Sequence, residues 1–99
     1  MNIQINEVQS FKLTTGEEIV AKVVEIREDD VVLEHPILTA LSPQGLQLMP
    51  GMFSANLEKN VVLNKHSWVL VGETREDVRN SWIQITTGIQ PVSKQILTG

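Results

Sequence analysis

Short apolar segments rich in Val, Ile and Leu recur between turn signals along the chain, and this rhythm reads as a small β-barrel or sandwich with helix as the minority element. Val8, Phe11 and Leu13 mark a first strand ending at Thr14-Thr15-Gly16, where glycine supplies the freedom of a tight turn. In the next strand the apolar positions run Ile19, Ala21, Val23 and then Val24, Ile26. The alternation slips by one residue, which predicts a bulge that bends the strand. The charged run Arg27-Glu28-Asp29-Asp30 is a solvent-facing turn before Val31-Val32-Leu33. Pro36 interrupts the pattern. Because proline donates no hydrogen bond, it belongs at an edge or a bulge, with Ile37, Thr39 and Leu41 resuming beyond it.

Ser42-Pro43-Gln44-Gly45 has the proline and glycine of a type I turn and predicts a hairpin into Leu46-Gln47-Leu48. Met49-Pro50-Gly51-Met52 breaks that strand, and a polar loop over 56–60 precedes Val61-Val62-Leu63. The short connection Asn64-Lys65-His66-Ser67 leads to Trp68-Val69-Leu70-Val71. One helix is predicted over 75–87, with Thr74 as its cap and Asp77 reaching back in a capping box. Its apolar face is Val78, Trp82, Ile85 and Ile89, and Gly88 and Pro91 stop it. The tail over 90–99 carries Val92, Ile96 and Leu97 without a firm pattern, and reads as a short edge strand or a loose end.

Length and composition narrow this picture. A chain of 99 residues suits one core, so residues 1–99 form a single domain with the barrel over 8–72. Hydrophobic residues at 41% and charged residues at 20% are ordinary for a globular protein, and no stretch approaches the roughly 20 apolar residues of a membrane span. The chain has no cysteine, which excludes disulfides and thiolate zinc sites. The first residues lack both a basic region and an apolar run, which argues against a secretory signal, and the absence of cysteine suits a reducing cytoplasm, the expected location. The formal net charge of -4 argues against binding nucleic acid with the whole surface. A local basic spot remains compatible with it, because a ring presents several copies around one pore.

Phe11-Lys12-Leu13-Thr14-Thr15-Gly16-Glu17-Glu18-Ile19-Val20-Ala21-Lys22-Val23, followed by Asp29-Asp30-Val31-Val32-Leu33, resembles the first Sm motif in its order of features. Residues 61–71, two apolar strands joined by a very short polar turn, resemble the second. With the Pro-Gly-Met middle and the helix after Glu73-Thr74, the chain is similar to the short Sm-like (LSm/Hfq-like) proteins of tailed phages that infect marine cyanobacteria. The resemblance covers about half of the chain. It implies a mostly β fold, a strongly bent five-stranded, SH3-like barrel with the helix at its C-terminal end. It also implies edge-strand pairing into a homo-oligomeric ring of roughly five to seven subunits, acting in the cytoplasm, that of an infected host for a phage-encoded chain. The chain departs from the family at the strand glycine, which is Ala21, at the uridine-holding asparagine, which falls near Leu33, and at the arginine-glycine pair, which falls on Asn64-Lys65. The leading helix of the family is also not visible before Val8.

Neither His35 nor His66 stands in a motif that would orient it against a serine and a carboxylate, so no catalysis is expected. Their separation of 31 residues carries no metal-ligand spacing, and no metal or other cofactor is expected. Glu17-Glu18 and Glu28-Asp29-Asp30 read as solvated hairpin tips. The candidate RNA contacts are Asn64, Lys65 and His66, since Sm rings gather this turn around the pore and lysine meets phosphate while imidazole stacks on a base. His35 joins them if the strand-connecting loops converge; an edge-strand role is the alternative. Trp68 and Trp82 read as core residues ahead of stacking platforms. Met49, Met52 and Phe53 are too apolar for a free loop and either cover the barrel end or, for Met52 and Phe53, form an oligomer interface. Two functions follow: a ring-forming Sm-like protein that binds single-stranded RNA, or a homo-oligomeric scaffold whose partner is another protein.

Overall fold

The computed structural model describes residues 3–87 and the backbone of the strand at 95–97. It is mostly β, with strands β1 (Val8–Leu13), β2 (Glu18–Ile26), β3 (Asp30–Ser42), β4 (Gly45–Pro50), β5 (Val61–Asn64), β6 (Trp68–Glu73) and β7 (Gln95–Leu97). One helix, α1 (Glu76–Thr86), lies between β6 and β7. All pairings are antiparallel, in the order β6-β1-β2-β3-β4-β7, with β5 branching from β3. The turn at Gly16, with φ of 97°, closes on a hydrogen bond from its N–H to the Leu13 carbonyl at 2.9 Å. The hairpin of β3 and β4 pairs Ser42 with Gly45, as the Pro43-Gln44 signal predicted.

The alternation of each strand places apolar side chains on both faces of the sheet. Phe11, Ile19, Ala21, Val23, Val31, Leu33 and Trp68 form one buried cluster, to which Val61, Leu63 and Val71 add partial cover. Strands from β6 round to β5 therefore share a single core, and the sheet curls about it. Phe11 and Trp68 meet edge to face there, with ring centroids 5.3 Å apart. The opposite face carries Val8, Val20, Ile37 and Leu48, which the helix covers with Val78, Trp82 and Ile85. Burying each of these larger side chains contributes about 1.5–3 kcal/mol.

Two register shifts bend the β2–β3 pair, and a third falls between β1 and β6 at Lys12/Leu13. The first lies between Val23 and Glu25 of β2, where the slip at Val24 predicted it. The second lies on β3, where His35 and Pro36 together oppose the single residue Ala21, so Pro36 occupies a bulge. His35 has φ of 51°, a left-handed conformation that costs about 1–3 kcal/mol in a residue with a Cβ. Both carbonyls of the bulge find partners outside the sheet ladder. Trp82 Nε1 donates to the His35 carbonyl at 2.9 Å, and the Gly51 N–H donates to the Pro36 carbonyl at 2.9 Å.

The closed five-stranded barrel expected from the sequence is corrected on two counts: the described sheet has seven strands and it is not closed. Pro50 pairs with Ile37 and Val61 with Leu33, so the chain that runs along β3 leaves the sheet between them as a loop and counts as two strands. β7 adds a further strand along β4, the edge-strand alternative for the tail. β5 and β6 pair with β3 and β1 respectively, and among the described residues no pairing joins them to each other. The capping box is also corrected. Arg75 is the N-cap residue, with no side-chain cap hydrogen bond. Thr74 instead shares a 2.9 Å hydroxyl hydrogen bond with Ser10, and Asp77 is held by the Arg75 guanidinium, which pushes its pKa down. The predicted stop at Gly88 and Pro91, and the face position of Ile89, lie outside the described residues.

Trp82→Phe keeps most of the buried ring and removes the donor to the His35 carbonyl, so it is expected to cost about 1–3 kcal/mol in urea unfolding. Gly51→Ala brings a Cβ to 2.7 Å from the Pro36 oxygen, and a destabilisation of about 1–3 kcal/mol is expected there as well. Unfolding midpoints equal to the parent in both variants would show that these two bonds at the bulge do not stabilise the fold.

Candidate functional site

The turn that connects β5 to β6 is built by Asn64. Its side-chain Oδ1 accepts from the His66 N–H at 2.8 Å, and its carbonyl accepts from the Ser67 N–H at 2.9 Å. Asparagine closes such turns because its short amide mimics a backbone carbonyl two residues away. The Lys65 N–H in turn donates to the Asp29 carbonyl at 3.0 Å. Two turns thus stand side by side, one carrying Lys65 and His66, the other Arg27, Glu28 and Asp29.

This neighbourhood decides the electrostatics. Arg27 is occupied by Asp30, with Nε to Oδ1 at 2.5 Å, and by Glu25 at 3.9 Å; the hydrogen bond to Asp30 raises the arginine pKa. Lys65 makes no ion pair among the described residues, so its ammonium is the free cation of the two turns. His66 is exposed. Glu28 and Asp29 stand next to them, also exposed, and lower the potential that a single copy offers to a phosphate. Charges of both signs therefore meet at these two turns. This acidic neighbour is invisible along the sequence, because the pairing of β3 with β5 creates it across a long separation in the chain.

His35 does not join this turn. Asp30 pairs with Asn64 at one end of the β3–β5 ladder, and His35 lies five strand residues further on, about 16 Å away at the strand rise. The loops on which its inclusion depended do not converge. His35 sits instead at the bulge, its ring 6.2 Å from that of Trp82, and it lines an open depression of about 670 Å³ with Pro50, Met52, Phe53, Leu57 and Ile85. Met52 and Phe53 are exposed, Phe53 at 84%, so they do not cover the barrel end. Trp68 and Trp82 are buried, so neither ring presents a face on which a base could stack.

The exposed apolar residues fall in a pattern that the sequence does not make visible. Val62 of β5 is 57% exposed, and Val69 and Leu70 of β6 are similarly open. Both strands have one edge without a ladder partner among the described residues. Among those residues no group of three or more His, Asp or Glu side chains is arranged to hold a metal ion, and no helix is long and apolar enough to cross a membrane. No protein-family model matches the chain, and no curated protein matches its sequence.

Asn64→Ala removes the side-chain acceptor of the turn and is expected to destabilise the protein by about 0.5–1.5 kcal/mol. In amide hydrogen exchange, protection at His66 should fall while that of β2 stays as in the parent. Unchanged protection at His66 would show that the Asn64 side chain does not hold the turn.

Proposed function

We propose that this chain is an Sm-like small-barrel protein that assembles head to tail into a closed ring and contacts single-stranded RNA through the Lys65 and His66 turns gathered near its axis. The observation that carries this reading is the placement of β5 and β6. They are consecutive strands joined by one tight turn, yet they lie on opposite sides of an unclosed sheet, each with an open edge and exposed apolar side chains. An open edge is a template for another strand, and a β5 edge meeting the β6 edge of a neighbour satisfies both. Repetition of one such contact closes into a ring when the rotation permits.

The ring is also what makes the RNA contact reasonable. Glu28 and Asp29 offset one Lys65, but a closed assembly presents every Lys65 at a similar distance from its axis, and a strand that touches several turns gains by multivalency. The function would then be exercised in the cytoplasm, that of the infected host for a phage-encoded chain. A second reading, a homo-oligomeric scaffold for another protein, draws support from the same acidic neighbours and from the exposed depression at Phe53.

Native mass spectrometry should give one closed oligomer of roughly five to seven chains. Lys65→Ala combined with His66→Ala should leave that mass unchanged and weaken binding of short uridine-rich or adenine-rich RNA by about tenfold or more. The same double variant should flatten the salt dependence of binding by about 0.7 for each phosphate that is no longer neutralised. A stable monomer would sink the ring. Unchanged RNA affinity in the double variant, with the ring intact, would sink the RNA site and leave the scaffold.

A further inference from the structure

We propose that Phe53 is an intersubunit anchor that inserts into a depression on the β6 edge of the adjacent copy, beside Gly72. This inference rests on the head-to-tail assembly above and names the side chains that would specify it.

The depression holds about 230 Å³ and is lined by Leu70, Val71 and Gly72 of β6 together with Ser10, Lys12 and Glu18. An apolar space of about 150 Å³ already takes a benzene-sized group, so a phenylalanine ring fits in scale. Strand alternation explains why the hole exists. Leu70 and Gly72 pair with Lys12 and Ser10, on the sheet face that the helix covers further along through Val8 and Val20. Gly72 leaves that face bare, since a Cβ built there meets no atom within 4 Å. Leu70 beside it is 62% exposed and gives the hole an apolar wall.

Phe53 supplies a matching projection. It stands on the loop that leads into β5, and it shares its depression with Ile85 and Thr86 of the helix, so it belongs to the same face of the sheet as the hole. Projection and hole therefore lie on one face, at the β5 side and the β6 side of the sheet. That relation is the one a heterologous contact needs, because copies in a ring repeat by rotation and keep their faces aligned. A two-fold dimer would use the Phe53–Gly72 contact reciprocally and stop at two chains, so the native mass separates it from the ring. Lys12 and Glu18 border the hole as an ion pair at 3.7 Å, so the rim sets no net charge against the loop of the neighbour, where Glu58 and Lys59 also carry opposite signs. Buried aromatic anchors in pockets carry much of the energy of such interfaces.

The absence of cysteine from the chain gives a direct test. Phe53→Cys and Gly72→Cys are made separately in the full-length protein, mixed, exchanged through mild dissociation, and oxidised. The expected product is a covalent dimer containing one chain of each variant, and the double variant should give a ladder of cross-linked chains that a reductant collapses. Gly72→Leu, which fills the hole, should raise the protein concentration at which the oligomer dissociates by tenfold or more while circular dichroism and thermal unfolding of the subunit stay near those of the parent. Cross-linking only between like variants, or an unchanged dissociation in Gly72→Leu, with the parent still oligomeric by native mass, would overturn the Phe53 anchor and leave the ring reading intact. A parent protein that is monomeric by native mass would overturn the ring reading, and the anchor with it.

Discussion

The fold turns on the bond between the Trp82 indole and the His35 carbonyl. A bulge at His35-Pro36 puts two residues opposite Ala21, bends β3, and frees two carbonyls from the ladder. A buried carbonyl without a donor costs about 1–3 kcal/mol, and His35 adds the strain of its left-handed backbone. The structure is possible because the helix brings Trp82 to one carbonyl and Gly51 brings a backbone N–H to the other. Proline is suited to this place for the reason it is excluded from ladders: it has no N–H to leave unsatisfied. Glycine at 51 is required because a Cβ would collide with the backbone of Pro36.

That one bend has consequences at both ends of the sheet. Before it, β3 runs with β5 and contributes Val31 and Leu33 to the inner core; beyond it, β3 runs with β4 and contributes Ile37 to the helix face. A straight strand of this length would project past the core. Bent, it serves both faces, and the loop between β4 and β5 is forced outward at the bend, carrying Met52 and Phe53 into solvent. Ala21 stands directly across from the bulge and is fully buried, so the small side chain that a sharp bend needs is supplied there. The bulge in β3 provides the curvature that a glycine in β2 would otherwise permit.

Much of this is legible in the sequence. The slip from Val23 to Val24, the proline at 36, the Pro43-Gln44 turn and the apolar stripe Val78, Trp82, Ile85 each correspond to what forms, because each is a local rule with one strong physical cause. The differences arise where a local rule meets a distant partner. Thr74 has the chemistry of a helix cap, but Ser10 on β1 offers its hydroxyl a bond across the fold. His35 would stand beside Lys65 only if the loops converged, and the antiparallel register of β3 with β5 sets the two residues apart along the ladder. The acidic neighbour of Lys65 has the same origin.

The two open edges impose a further requirement. Open strand edges beside exposed valines and leucines are a hazard, since another edge can pair with them and growth need not stop. Backbone hydrogen bonds alone cannot specify one partner or one angle, because they are the same at every register. Side chains must do so. In the proposed assembly a projecting ring on one side and a glycine-made hole on the other would favour one register and one sense of repetition, and a contact with fixed sense and angle either closes or forms a filament. For a net acidic chain, finite closure would also limit how many like charges are brought together, which is a physical argument for the proposed ring over continued growth.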